Sequence, residues 1–217
     1  METCEISVAD QIRQFIHEQH LTPGDRLPTQ DQLSVQLGIG LRRLREGLSI
    51  LEHQGFIESR NKAGTIIRQP SIENLGQPIG WHLDASDVSP EDLVRARACL
   101  ESGAAAEAAQ RRTPRDLLVL LDALETLEHK SLSGEATHDA EQAFHGAILR
   151  ATHNPVLLTF GQLITAQFDR MRGIQSTPQR RRKFSKEHRK VYAAIERKNS
   201  TAARDIMHAH IMANLTG

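Results

Sequence analysis

Eleven histidines against two cysteines make imidazole and carboxylate, rather than thiolate, the groups most able to do chemistry in this chain of 217 residues. In the run HDAEQAFHGAIL, Glu141 and His145 stand four residues apart, so both project from one face of a helix and can share an ion. The same spacing also serves a plain salt bridge or a partnered core histidine. His188, in KEHRKVYAAI, and His210, in IMHAHIMANL, each fall beside apolar positions. A buried imidazole needs a polar partner, and one shared metal would satisfy several rings together. Cys4 and Cys99 are too few for a disulfide framework or a thiolate zinc cluster, so any metal here takes histidine and carboxylate ligands.

A second concentration of chemistry lies in LGIGLRRLREGL, where Arg42, Arg43 and Arg45 fall within a few residues of one another. The chain balances 27 Lys and Arg against 27 Asp and Glu, so it has no general basic coat, and any contact with nucleic acid must come from such a local patch. Leu41, Leu44, Leu48 and Leu51 recur every three or four residues and predict a core-facing stripe that leaves the three arginines off the packed side. Arginines so placed either form an ordinary solvated face or meet base edges and phosphates in the major groove.

The elements that must position these groups are mostly helical. A composition of 39% hydrophobic, 25% charged and 4% aromatic residues suits a helix-rich fold. ISVADQIRQFIHEQH places Ile6, Ile12, Phe15 and Ile16 on one stripe, Pro23-Gly24 breaks that helix, and Thr29 is a good N-cap for QDQLSVQLG, which Gly38 ends. The arginine-bearing helix follows and stops at Gly55. Phe56-Ile57 and Ile66-Ile67 then flank a polar turn and predict a β hairpin, completing the layout of a winged helix. These elements fill residues 1–69. Residues 70–88, with two prolines and two glycines, are expected to be a linker to which Trp81 gives an anchor. From 89 to 217 about six helices are expected, with Ser89-Pro90, Thr113-Pro114 and Asn154-Pro155 as starts. No stretch reaches the roughly 18 apolar residues of a membrane span and the start lacks a basic segment followed by an apolar run, so a cytoplasmic protein is expected.

The segment LTPGDRLPTQDQLSVQLGIGLRRLREGLSILEHQGFIESRNKAGTII resembles the winged-helix reader of GntR-type bacterial repressors, through Pro23-Gly24, Leu27-Pro28, Leu44-Arg45-Glu46, Leu51, Gly55 and Gly64-Thr65. The resemblance implies that Arg45 contacts double-stranded operator DNA and that the wing around Lys62, Gly64 and Thr65 lies along the minor groove. Arg42 and Arg43 are then the candidates for what is particular to this operator. Gly40-Leu41 stands where the family usually has Ser/Thr-Arg, and Asp31 where it usually has Arg.

Beyond residue 89 the chain resembles the ligand-binding helical bundle of the FadR-type branch of that family, an antiparallel all-α domain that often holds a metal on one Asp and three His. Matching positions are Glu141, His145, His188 and His210, with intervals of 43 and 22 residues between successive histidines. His138 could stand in for Glu141, whereas His208 is out of register and expected to be exposed. Three imidazoles and a carboxylate suit zinc first, and also nickel or manganese. The family's Arg-and-Glu helix is matched by Arg97 and Glu101, so the resemblance makes Arg97 the first candidate to clamp a small organic acid effector, with Arg170 and Arg172 behind it. A surface ion pair between Arg97 and Glu101 is the alternative. The expectation is a homodimeric, metabolite-responsive regulator, most simply a repressor, and not an enzyme, because no positioned nucleophile or general base accompanies the ligands. A direct metal sensor is the first alternative and a metal-dependent enzyme the second.

Overall fold

A computed structural model of the chain describes residues 6–60, 64–171 and 178–215, the side chains of 169–171 and 178–182 excepted. Its contacts divide it into two units, Met1–Pro78 and Ile79–Gly217.

The first unit is built from α1 (Val8–Glu18), α2 (Gln30–Leu37), α3 (Leu41–His53), β1 (Ile57–Arg60) and β2 (Gly64–Ile67). Each start has a local cause. Ser7 accepts from the Asp10 amide at the head of α1, and Thr29 with Gln32 forms a reciprocal capping box on α2. Gly38 ends α2 at φ +65°, a conformation that glycine adopts without a Cβ penalty. The strands pair antiparallel with Ile57 opposite Ile67 and Arg60 opposite Gly64, and Arg26 bridges to Ile66 outside the hairpin. Ile12, Leu33, Leu44, Leu51, Ile57 and Ile67 form the core beneath.

The stripe of α3 differs from the leucine pattern at two positions. Leu41 is 37% exposed and outside the core, and Gly47 takes a buried place beside Leu44, Leu48 and Leu51. A Cβ on Gly47 would stand 2.7 Å from Val8 Cγ1 and 3.2 Å from the Ala9 amide nitrogen, so this glycine sets how closely α1 and α3 approach.

The expected linker contains a helix. Residues Ile72–Ala85 form α4, with Ser71 and Asn74 capping each other and Pro78 inside it. Gly76, Pro78 and Gly80 are poor helix formers and hid the element, and the division between units falls within it. Trp81 is 77% exposed, so it does not anchor the segment as expected.

In the second unit α5 (Pro90–Arg111), α6 (Pro114–Ser133), α7 (His138–Ala151), α8 (Pro155–Met171), α9 (Pro178–Glu196) and α10 (Ser200–Met212) supply the six helices expected. Ser89 with Asp92 and Thr113 with Asp116 form capping boxes before Pro90 and Pro114, and Asn154 accepts from the Val156 and Leu157 amides. Alanines 104, 105, 108 and 109 keep α5 slim, and it packs on α7, α8, α9 and α10. Phe144, Leu120, Leu124, Ile148, Ile195 and Met207 fill the core.

The crossing at Gly47 can be measured against Gly103, which is exposed in α5 with nothing within 4 Å of a built Cβ. Alanine gains about 1 kcal/mol of helix propensity over glycine at either site. Gly103→Ala is therefore expected to raise the thermal midpoint slightly. Gly47→Ala is expected to lower it, because forcing a methyl into a packed crossing costs about 1–3 kcal/mol. Equal shifts in calorimetry would refute the tight crossing.

Candidate metal centre and nucleic-acid interface

His145 on α7, His188 on α9 and His210 on α10 meet inside the second unit. All three are buried, and one nitrogen from each falls in a group whose members lie within 4.8 Å of one another. His145 Nε2 and His188 Nε2 are 3.2 Å apart. Two ligands held at about 2.0–2.1 Å on one zinc stand about 3 Å or a little more apart, so this spacing fits a shared ion. Phe144 meets the edges of His145 and His188, and Phe184 meets His210, which restricts ring rotation.

The outward nitrogens are oriented by neighbours. His145 Nδ1 is hydrogen-bonded to Glu101 Oε2, and His210 Nδ1 to Glu187 Oε2 at 2.9 Å. A carboxylate only accepts, so each Nδ1 donates and each Nε2 is left with a lone pair for the centre. His188 Nδ1 is buried with no hydrogen bond of ordinary geometry, and the Phe184 carbonyl is the group that favours a proton on that ring. Inward lone pairs on all three rings therefore require the His188 proton to lie on that side. The donor set and its carboxylate backing would suit a transition-metal ion.

Burial pushes the His188 ring well below the ordinary histidine value, and repulsion from charge on His210 and His145 adds to this. His210 is also pushed down, chiefly by burial and against the pull of Glu187. Burial alone would raise the Glu101 carboxyl, but Arg97 and then His145 reverse this and hold it well below the usual carboxylate range. Arg97 Nε donates to Glu101 Oε1 at 2.5 Å, Thr165 Oγ1 donates to the same oxygen at 3.2 Å, and the guanidinium lies 5.0 Å from the Phe168 ring centroid.

Of the residues singled out by sequence, the three histidines come together and Glu141 does not join them. Its Oε1 accepts from the Thr137 hydroxyl at 3.1 Å, one turn back at the start of α7. His138 is half-buried at the first position of α7, and His208 is exposed. Arg97 does pair with Glu101, but as a buried pair beside the cluster rather than a surface one. The Arg170 side chain and all of Arg172 lie outside the described residues. Sequence reading named Glu101 only beside Arg97 and missed it as the partner of His145, and it missed Glu187 and Thr165. Glu187 is adjacent to His188 in the chain and could have been suspected, whereas Glu101 and His145 are 44 residues apart and no local pattern joins them.

In the first unit Arg42, Arg43 and Arg45 are exposed on α3. Arg42 Nη1 pairs with Glu46 at 2.9 Å, and Arg45 Nε donates to Gln30 Oε1 at 3.0 Å, tying the face of α3 to the start of α2. Gly64 opens β2 at φ +76° with open space around it, and Thr65 is half-buried beside it. Lys62 lies outside the described residues. Arg60 and then Arg68 hold the Glu58 carboxyl down to about 2.

Residues 6–67 match the family model described as bacterial regulatory proteins, gntR family, and residues 92–213 match that of the FCD domain. The chain is 32% identical over 216 residues to the putative L-lactate dehydrogenase operon regulatory protein of Escherichia coli, covering 94% of this chain and 82% of the relative. It is 28% identical over 203 residues to the HTH-type transcriptional regulator LutR of Bacillus subtilis, covering 91% and 93%. Among solved structures, a GntR protein of Streptococcus agalactiae superposes with a TM-score of 0.80 at 24% identity over 97% of this chain and 98% of that one. These matches are to transcriptional regulators, not to enzymes.

The buried rings give a test by pH. His188 and His210 resist protonation when folded but take up protons near the ordinary value of 6.5 when unfolded, so the stability they allow is present above that value and lost as pH falls through it. In chelator-treated protein each ring contributes a slope of up to about 1.4 kcal/mol per pH unit below that point. Urea midpoints are expected to fall between pH 7.5 and 5.5, less steeply in His188→Gln. An identical slope in the variant would contradict the assignment.

Proposed function

The chain belongs to the gntR family of bacterial regulatory proteins and carries its FCD domain, and from that premise we propose a cytoplasmic, homodimeric repressor whose helical unit binds a divalent ion and a small carboxylate. Family members bind operator DNA through the first unit, and two such units suit the two half-sites of a palindrome. The observation that carries the effector reading is the histidine cluster. It presents three inward nitrogens, while the carboxylates around it are engaged elsewhere: Glu101 with Arg97, Thr165 and His145, Glu187 with His210, and Glu141 with Thr137.

His145, His188 and His210 would hold the ion, zinc ahead of nickel and manganese. The ion would supply a Lewis-acid anchor for a carboxylate oxygen. The chain's own contribution is to orient the rings through Glu101 and Glu187. The Arg97 and Glu101 charges cancel, and against the one remaining carboxylate backing the rings, Glu187, a dication would still leave a net positive, desolvated site that favours an anion. Arg97, joined to His145 through Glu101, is the first candidate to clamp the acid, and Arg170 is the second. The relative named for an L-lactate dehydrogenase operon supports a small hydroxy acid as the effector class. To change operator occupancy, the acid must bind one of the DNA-free and DNA-bound states more tightly than the other, and release of the operator requires that this be the DNA-free one.

Native mass spectrometry of purified protein is expected to show one divalent ion per chain, lost in His188→Ala. A panel of small hydroxy and keto acids, added to ion-loaded protein on a duplex selected from random DNA, is expected to include at least one that releases the DNA. Release by the ion alone, with no acid adding to it, would replace the metabolite reading with direct metal sensing.

A further inference from the structure

Leu41 is an apolar side chain left at the exposed start of the arginine-bearing helix. It is the first residue of α3, 37% exposed, and is not among the side chains packed on the core of its unit. Gly40 before it supplies no side chain, and a Cβ there would meet nothing within 4 Å, so the space on that side is open. Arg45 follows one turn later on the same stripe, and its bond to Gln30 sets that stripe beside the start of α2. Arg42 is turned to Glu46 on the neighbouring stripe. One narrow face therefore carries a leucine and an arginine in succession.

We infer that Leu41 reads the 5-methyl group of a thymine in the major groove, one helical turn from the contact made by Arg45. The inference rests on the DNA-reading role of α3. The major-groove edges of the four base pairs offer donors, acceptors and one apolar group, the thymine methyl. Leucine can neither donate nor accept, so the only base feature it recognises by attraction is that methyl. Against a cytosine amino group or a purine edge it would cover a polar atom without replacing its hydrogen bond to water. The open site at Gly40 lets the helix start approach the base pair closely enough for the four-carbon side chain to reach it.

The test uses the full chain and a duplex selected by it from a random library. Each thymine of that duplex is exchanged in turn for deoxyuridine, which removes the methyl and nothing else. Wild type is expected to lose about three- to tenfold in affinity at one symmetric pair of positions, the scale of one buried methyl group. Leu41→Ala is expected to bind the parent duplex more weakly by a similar factor and to be indifferent to the exchange at that pair. Its melting curve is expected to match wild type, since the side chain is outside the core. If the duplex depends on Arg45, as judged by Arg45→Ala, yet wild type and Leu41→Ala respond alike to every exchange, the Leu41 inference fails alone. If no sequence is enriched, or Arg45→Ala binds as well as wild type, the DNA-reading role fails with it. A change of oligomeric state in Leu41→Ala without any change in methyl sensitivity would make the residue a protein contact and overturn the inference.

Discussion

A carboxylate sealed inside a helical bundle is the constraint on which the second unit's site depends. Removing an ion the size of the Glu101 carboxylate from water costs several kcal/mol even after the protein relaxes, about the scale of a whole domain's net stability. Arg97 offsets this from one turn away on the same helix, so the pair is nearly assembled as soon as α5 forms. The remaining acceptor capacity of Glu101 is met only when His145 on α7 and Thr165 on α8 are in place. One side chain thus ties three helices and fixes the tautomer of a ring that faces the centre. Glu187 repeats the arrangement for His210 at lower stakes, since it is less deeply buried.

Much of this was legible in the chain because its signals are local. Each helix start announced by Thr29, Ser89, Thr113 or Asn154 is a cap in the structure, since a side chain three residues from an orphan amide needs no tertiary information to find it. Gly38 and Gly55 end elements at positive φ for the same reason. Periodicity told less. It marked Leu41 as core because of its spacing, but Leu41 opens the helix and is exposed, while Gly47, nearly two turns further on, takes a packed place against α1 that the leucine spacing did not mark. Gly76, Pro78 and Gly80 made α4 read as a loop, although the reciprocal cap of Ser71 and Asn74 stood at its start to be read. The three histidines were visible as residue types beside apolar positions. Their carboxylate partner Glu101 was not, because only folding brings residues 101 and 145 together.

Several exposed arginines stand beside a carboxylate. Arg42 is matched by Glu46, Arg60 and Arg68 by Glu58, and Arg95 by Glu91. Exposed pairs of this kind contribute little to stability and are screened at physiological salt. Their larger effect is on nucleic-acid contact. An arginine that already has a carboxylate neighbour must exchange it for a phosphate, so the favourable release of counterions from DNA is partly spent on separating the pair.

Ile12, Leu44 and Leu51 are wholly buried between α1 and α3, Gly47 leaves no slack at their crossing, and Arg13 reaches Gln54 at the far end of α3. Packing of this density does not deform by degrees. The reading helix therefore cannot slide or rotate on its support without unfolding that support. On the proposed reading, a chemical signal arriving at this unit would move it as one solid piece. The signal can alter how often and in what pose the piece meets DNA, whereas the alphabet it recognises is set once, when the chain folds.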